Sequence, residues 1–118
     1  MSLAADLPHV PEELRPALEE AVRRIVAIAR PEVVILFGSY AEGGADEDSD
    51  IDLLVVAQTE ERLPLTVRVR EAIDPVLDPY PLDVIVIPAE HWSRSRRLRG
   101  MVCWEADHFG ARLYERAA

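Results

Sequence analysis

Lysine is absent from this 118-residue chain: all 13 basic residues are Arg, set against 22 Asp and Glu for a formal charge of −9. That surplus repels phosphate backbones, which argues against nucleic acid as the main partner. Cysteine occurs once, at Cys103, so no internal disulfide can form. No apolar run approaches the length of a membrane span. The opening "MSLAADLPHVPEEL" lacks the basic start and apolar block of a secretory signal, and the expected location is the cytoplasm. Repeats, low-complexity tracts and linker-like stretches are missing too, and the prolines fall singly where elements should start or stop. With 49% hydrophobic residues, the expectation is one domain with one core over residues 1–118.

What is present reads as alternating helix and strand. Between Pro11 and Arg30, apolar residues at Leu14, Ala17, Leu18, Ala21, Val22, Ile25, Val26 and Ile28 follow helical spacing, and Pro31 ends the run. "EVVILFG" is too short for a helix and apolar on both faces, as a strand inside an α/β sheet would be. Gly38 breaks it. Strand character returns in "SDIDLLVV" over 50–56, residues 60–74 predict an amphipathic helix with Leu63, Val67 and Ile73 inward and Pro75 following, and "PLDVIVIP" predicts a third strand. From Ala89 to Phe109 the pattern is helical with a break near Gly100, and Gly110 precedes a short "ARLYE" tail. The fold class expected from this order is α/β (α+β), a mixed β-sheet with helices on it.

The chemistry concentrates in "FGSYAEGGADEDSDIDLLVV", residues 37–56. Alternate residues of a strand share a face, so Asp50 and Asp52 would project together, roughly 6 to 7 Å apart along the chain. Gly38-Ser39, ten residues, then Asp50-Ile51-Asp52 is a Gly-Ser-x10-Asp-x-Asp arrangement. With "VVILFGS", "LDVIVI" and "GARLYE" around it, the chain resembles the minimal nucleotidyltransferase (MNT) family of the DNA polymerase β-like nucleotidyltransferase superfamily. That resemblance implies the polymerase β-like palm fold and places the family's third carboxylate on Asp83. It implies that Asp50, Asp52 and Asp83 hold two Mg²⁺ ions, with Asp83 also accepting a proton, while Gly38 and Ser39 meet the phosphates of a nucleoside triphosphate. ATP is the donor expected at the level of the family, and AMP the group transferred to a hydroxyl.

The residue types suit this chemistry. Nucleotidyl transfer needs an activated hydroxyl and a neutralised pyrophosphate leaving group, and two metal ions about 3.5 to 4 Å apart serve both needs. Same-face carboxylates on one strand and another on its neighbour form a small oxygen-only cradle, the donor set that Mg²⁺ prefers. Gly38 lets the backbone approach phosphate, and Ser39 adds a hydroxyl near helix N-terminal amides. Plainer readings compete at each position: Ser39 as an N-cap, Asp50 and Asp52 as charges that blunt a sheet edge, Asp46, Glu47 and Asp48 as a solvated loop. Arg94, Arg96, Arg97 and Arg99 read most simply as the exposed side of a late helix, the alternative being a contact for triphosphate or for a docking partner, and His91 and His108 read as ordinary polar positions. Trp92, Trp104 and Tyr114 read as core.

Two positions depart from the family pattern, where many members carry Arg or Lys at the place of Glu42 and often Arg at the place of Tyr40. Charge neutralisation in this loop is therefore weaker. No part of the chain is left over to hold an acceptor, so the acceptor is expected from outside. By the resemblance it is a side chain of a helical HEPN-type partner, silenced by the modification in an antitoxin-like system. The alternative is a non-catalytic module that keeps the fold and acts by occluding a partner.

Overall fold

The computed structural model describes Leu3 and residues 6–117. A 3₁₀ turn, Glu12–Leu14, leads into helix α1, Arg15–Ala29, whose buried Leu18, Ala21, Val22 and Ile25 repeat at three and four residues. Pro16 sits in the first turn, where its missing N–H would have had no helical partner. Arg30 closes the helix in the left-handed region at φ 46°, its N–H donating to Val26 O, and Pro31 then prevents continuation.

The chain continues through β1 (Val33–Phe37), a single helical turn α2 (Ser39–Glu42), β2 (Ile51–Ala57), α3 (Arg62–Leu77), β3 (Leu82–Pro88), α4 (Ala89–Ser95), α5 (Val102–Phe109) and β4 (Ala111–Glu115). The four strands form one mixed sheet in the order β3-β2-β1-β4. β2 and β3 run parallel, whereas β1 is antiparallel to both β2 and β4. A parallel pair needs a crossover, and α3 supplies it.

Strand alternation sorts the core into two layers. Val34, Leu36, Leu53, Val55, Val84 and Val86 pack beneath α1 and α3. Val33, Ile35, Leu54, Val56 and Ile87 turn the other way, toward Trp92 of α4 and Cys103 and Ala106 of α5. No helix among the described residues is long and apolar enough to cross a membrane.

Three expectations need correction. Leu63 and Val67 are exposed, because the buried stripe of α3 is Leu65, Val69, Ile73 and Leu77 at four-residue spacing, and positions two residues away lie on the opposite side. Pro75 lies inside α3 instead of following it. Burial of Ile73 before it and Leu77 after it holds that last turn against the core despite one lost backbone hydrogen bond. The "ARLYE" tail is the strand β4, which gives β1 its second neighbour and makes it a central strand. Gly110 permits the change of direction from α5 to β4: a Cβ there would stand 2.5 Å from Ala106 O and from Ile35 Cγ2, and 2.9 Å from Leu36 O.

Candidate active site

β1 ends at Gly38, whose φ of 74° favours glycine. Space demands the same residue, because a Cβ at this position would overlap Asp52 Oδ2 and lie 3.3 Å from Asp52 Cγ. The turn α2 then starts, with Gly38 O accepting from Ala41 N at 3.0 Å and Glu42 N at 2.9 Å. The amides of Ser39 and Tyr40 open this turn and have no partner within it.

Tyr40, at the position where the family pattern often has Arg, is buried. Its ring meets Tyr80 edge-on at 6.3 Å, and its hydroxyl donates to Asp46 O at 3.4 Å. Burial, the negative potential of Tyr80 and Asp46 adding to it, raises its pKa above the ordinary tyrosine value. Tyr40 thus props the loop from below. Asp46 accepts from Asp48 N at 2.9 Å and from Ser49 Oγ at 3.2 Å, while its own N–H donates to Ser49 Oγ at 2.9 Å. Of the acidic loop, Asp46 is therefore a turn former, and it is exposed, as are Glu42, Glu47 and Asp48.

Asp52 is the second residue of β2 and Asp83 the second of β3, and they are register partners across the parallel pair. Neighbouring strands stand about 4.8 Å apart, and paired residues of a parallel ladder share a face. On its other side Asp52 is in register with Phe37. Asp50 immediately precedes β2 and is exposed, as is Asp83, whereas Asp52 is half-buried. Burial first, then the charges of Asp83 and Asp50, push Asp52 up to about 6. Asp83 and Asp50 therefore both bear on Asp52, and none of the three takes part in an ion pair among the described residues. No basic residue occurs between Arg30 and Arg62.

An oxygen-only set with uncompensated negative charge suits a hard divalent cation such as Mg²⁺. Among the described residues no three His, Cys, Asp or Glu side chains already stand close enough to share an ion, so rotation of exposed Asp50 and Asp83 toward half-buried Asp52 would have to complete a site. The space kept free at Gly38 for the Asp52 carboxylate fits that use. A groove of about 690 Å³ lies elsewhere, among Glu32, Thr59, Glu90 and Trp92 at the other end of β2 and β3. A second groove, about 460 Å³, is lined by Tyr40 and Tyr80 and by Ala45, Asp46 and Glu47 on the loop that leads to Asp50.

The Arg segment divides. Arg96 donates to Asp107 at 3.1 Å and lies 5.0 Å from the centre of the Trp92 ring, while Arg94, Arg97 and Arg99 are exposed. Trp92 is core, but Trp104 and Tyr114 are only half-buried. His91 and His108 are exposed, with His91 Nε2 in a 3.0 Å hydrogen bond to Ser95 Oγ.

The family model of the nucleotidyltransferase domain matches residues 15–100, a span that takes in Gly38, Ser39, Asp50, Asp52 and Asp83. The chain belongs to this family. No curated protein shows a significant match to this nucleotidyltransferase domain. Among solved structures it is similar to a crystal structure of a mutant of the toxin-antitoxin MntA-HpeT. That match covers 83% of this chain and 73% of the other at 20% sequence identity, with a TM-score of 0.51. At that identity the likeness supports the fold, a mixed sheet with helices.

Proposed function

We propose that this nucleotidyltransferase domain transfers a nucleoside monophosphate from a nucleoside triphosphate, ATP by family likeness, to a hydroxyl of another protein. The observation that carries this reading is the registered pair Asp52 and Asp83, with Asp52 set over Gly38. Asp50, Asp52 and Asp83 would hold two Mg²⁺ ions, which when bound lower the barrier by offsetting charge on the attacking and leaving oxygens. The Ser39 hydroxyl and the amides that open α2 would receive phosphate oxygens. Asp83, exposed beside Asp52, would take the proton of the acceptor hydroxyl as its oxygen bonds to the α-phosphorus. The bond from that phosphorus to pyrophosphate breaks, and pyrophosphate leaves.

Membership of the MNT family would make the acceptor a HEPN-type helical protein and this chain the antitoxin-like half of the pair, in keeping with the toxin-antitoxin origin of its structural relative. The test is transfer of labelled AMP from ATP with Mg²⁺ to a co-purified partner, read as a mass gain on the intact protein. Unchanged transfer by Asp50→Asn with Asp52→Asn would refute the assignment.

A second reading rests on one observation, the absence of any basic residue between Arg30 and Arg62. With Glu42 exposed in that stretch, the domain would bind a partner and occlude it without chemistry. A tight complex that never acquires label, with ATP, CTP, GTP or UTP, separates this from the first reading.

A further inference from the structure

The α5 helix shows two characters. Cys103 and Ala106 face the sheet, packed with Ile35, Leu54 and Val56. The outer side and the turn before it stay apolar in the open: Leu98 is 55% exposed, Met101 41%, Val102 38% and Phe109 51%. Trp104 extends this surface, stacked on His108 at 4.2 Å and meeting Phe109 edge-on at 5.8 Å. Arg99 lies over Trp104, 5.4 Å from the ring centre, and Arg97, two residues earlier in the chain, is exposed. Glu105 is the one carboxylate on the outer side of α5 itself. Exposed apolar and aromatic side chains with Arg at their edge have the composition of an interface centre with a charged rim.

Position ties this surface to the aspartates. α5 covers the sheet face to which Asp52 and Asp83 point, since Asp52, Leu54 and Val56 alternate on one side of β2. Its end leads directly into β4, where Ala111 is in register with Leu36, the neighbour of Phe37. Phe37 is in turn in register with Asp52. Phe109 therefore lies at the same end of the sheet, on the same face, as the carboxylates.

We propose that the outer side of α5 and the turn before it, centred on Leu98, Met101, Val102 and Phe109 and rimmed by Arg97 and Arg99, is the docking surface for the protein acceptor. The inference rests on the transfer reading and adds the surface. The occupant is a protein segment with an apolar centre and acidic rim. Charge complementarity selects it: on a chain of net charge −9, Arg94, Arg97 and Arg99 are exposed close together in the chain and take part in no ion pair among the described residues. A basic or nucleic-acid partner meets either a repelling rim or an acidic remainder. Seated there, the acceptor presents its hydroxyl toward Asp52 and Asp83 across Phe37.

The experiment places a photo-crosslinking amino acid at Phe109 or Leu98, and for comparison at exposed Leu63 on the opposite layer, in the full chain inside its own cells. The expected result is one crosslinked protein from positions 109 and 98 but not 63, joined through a segment that mass spectrometry shows to be apolar with flanking Asp or Glu. Arg97→Glu with Arg99→Glu should reduce that crosslink roughly tenfold while the melting temperature holds, and acidic-to-basic exchange in the partner segment should restore it. Asp52→Asn should retain the crosslink and lose transfer, so docking and chemistry fail separately. Crosslinks to a second copy of this chain, to RNA, equally from position 63, or none at all would overturn the proposal.

Discussion

The side chain of Asp52 occupies the space that a Cβ on Gly38 would need, so that the end of one strand and the start of its neighbour are fitted to each other at a single carboxylate. Gly38→Ala meets both a steric overlap and a backbone at φ 74°. It should cost about 1–3 kcal/mol in urea unfolding. Removing the overlap by Asp52→Ala in the same chain should recover part of the loss and leave the backbone strain. Full recovery would show that φ contributes nothing.

Asp52 itself predicts a pH effect of unusual sign. Its carboxyl is pushed up to about 6 in the fold, by burial first and then by Asp83 and Asp50, against about 3.9 in an unfolded chain. Between those values the folded state binds the extra proton, so this group's contribution to stability falls as pH rises from about 4 to about 6 and stays lost above. Asp52→Asn should therefore raise the melting temperature at pH 7.5 by a few degrees, roughly 2 to 5 °C. Near pH 4 the difference should vanish. Calorimetry at the two pH values decides it.

Divalent cation should act on the same charges. Mg²⁺ at about ten times its dissociation constant should stabilise the wild type by about 1.4 kcal/mol. Asp52→Asn with Asp83→Asn should abolish the shift in a thermal melt without nucleotide. An equal shift in both proteins would mean that the cation binds elsewhere.

Asp107 gives the opposite pH behaviour. Burial tends to raise its pKa, but hydrogen bonds from Arg112 and Arg96 outweigh this and hold the carboxyl below its usual range. Arg112 Nη2 lies 2.7 Å from Oδ1 and Arg96 Nε 3.1 Å from Oδ2, joining β4, α5 and the segment after α4. The stability it adds is present above the unfolded carboxyl value near 3.9 and is lost as pH falls through the folded one. Asp107→Asn should cost about 1–3 kcal/mol at pH 7, and the penalty should shrink below pH 4.

Much of this was legible in the sequence because the signals were local. Proline and glycine marked the ends of α1 and β1, β-branched runs gave three strands, and the spacing from Gly38-Ser39 to Asp50 and Asp52 marked the candidate residues. The misses came from tertiary context. β4 is a five-residue stretch with one buried side chain, Leu113, and becomes a strand because β1 has an open edge. Leu63 and Val67 fit helical spacing as well as Leu65 and Val69 do, and only the position of the sheet chooses between the two sides of α3. Tyr40 looked like a lost phosphate contact, whereas its contact with Tyr80, 40 residues away in the chain, makes it a prop.

The exposure of Asp50 and Asp83, at the strand ends opposite the 690 Å³ groove, has a consequence for fidelity. A deep cleft excludes bulk water before reaction, but an open one leaves water as a rival nucleophile at the α-phosphorus. On the transfer reading, the acceptor must be its own lid. Wasteful hydrolysis is then suppressed only while the correct protein is seated, and selectivity resides in who covers the carboxylates.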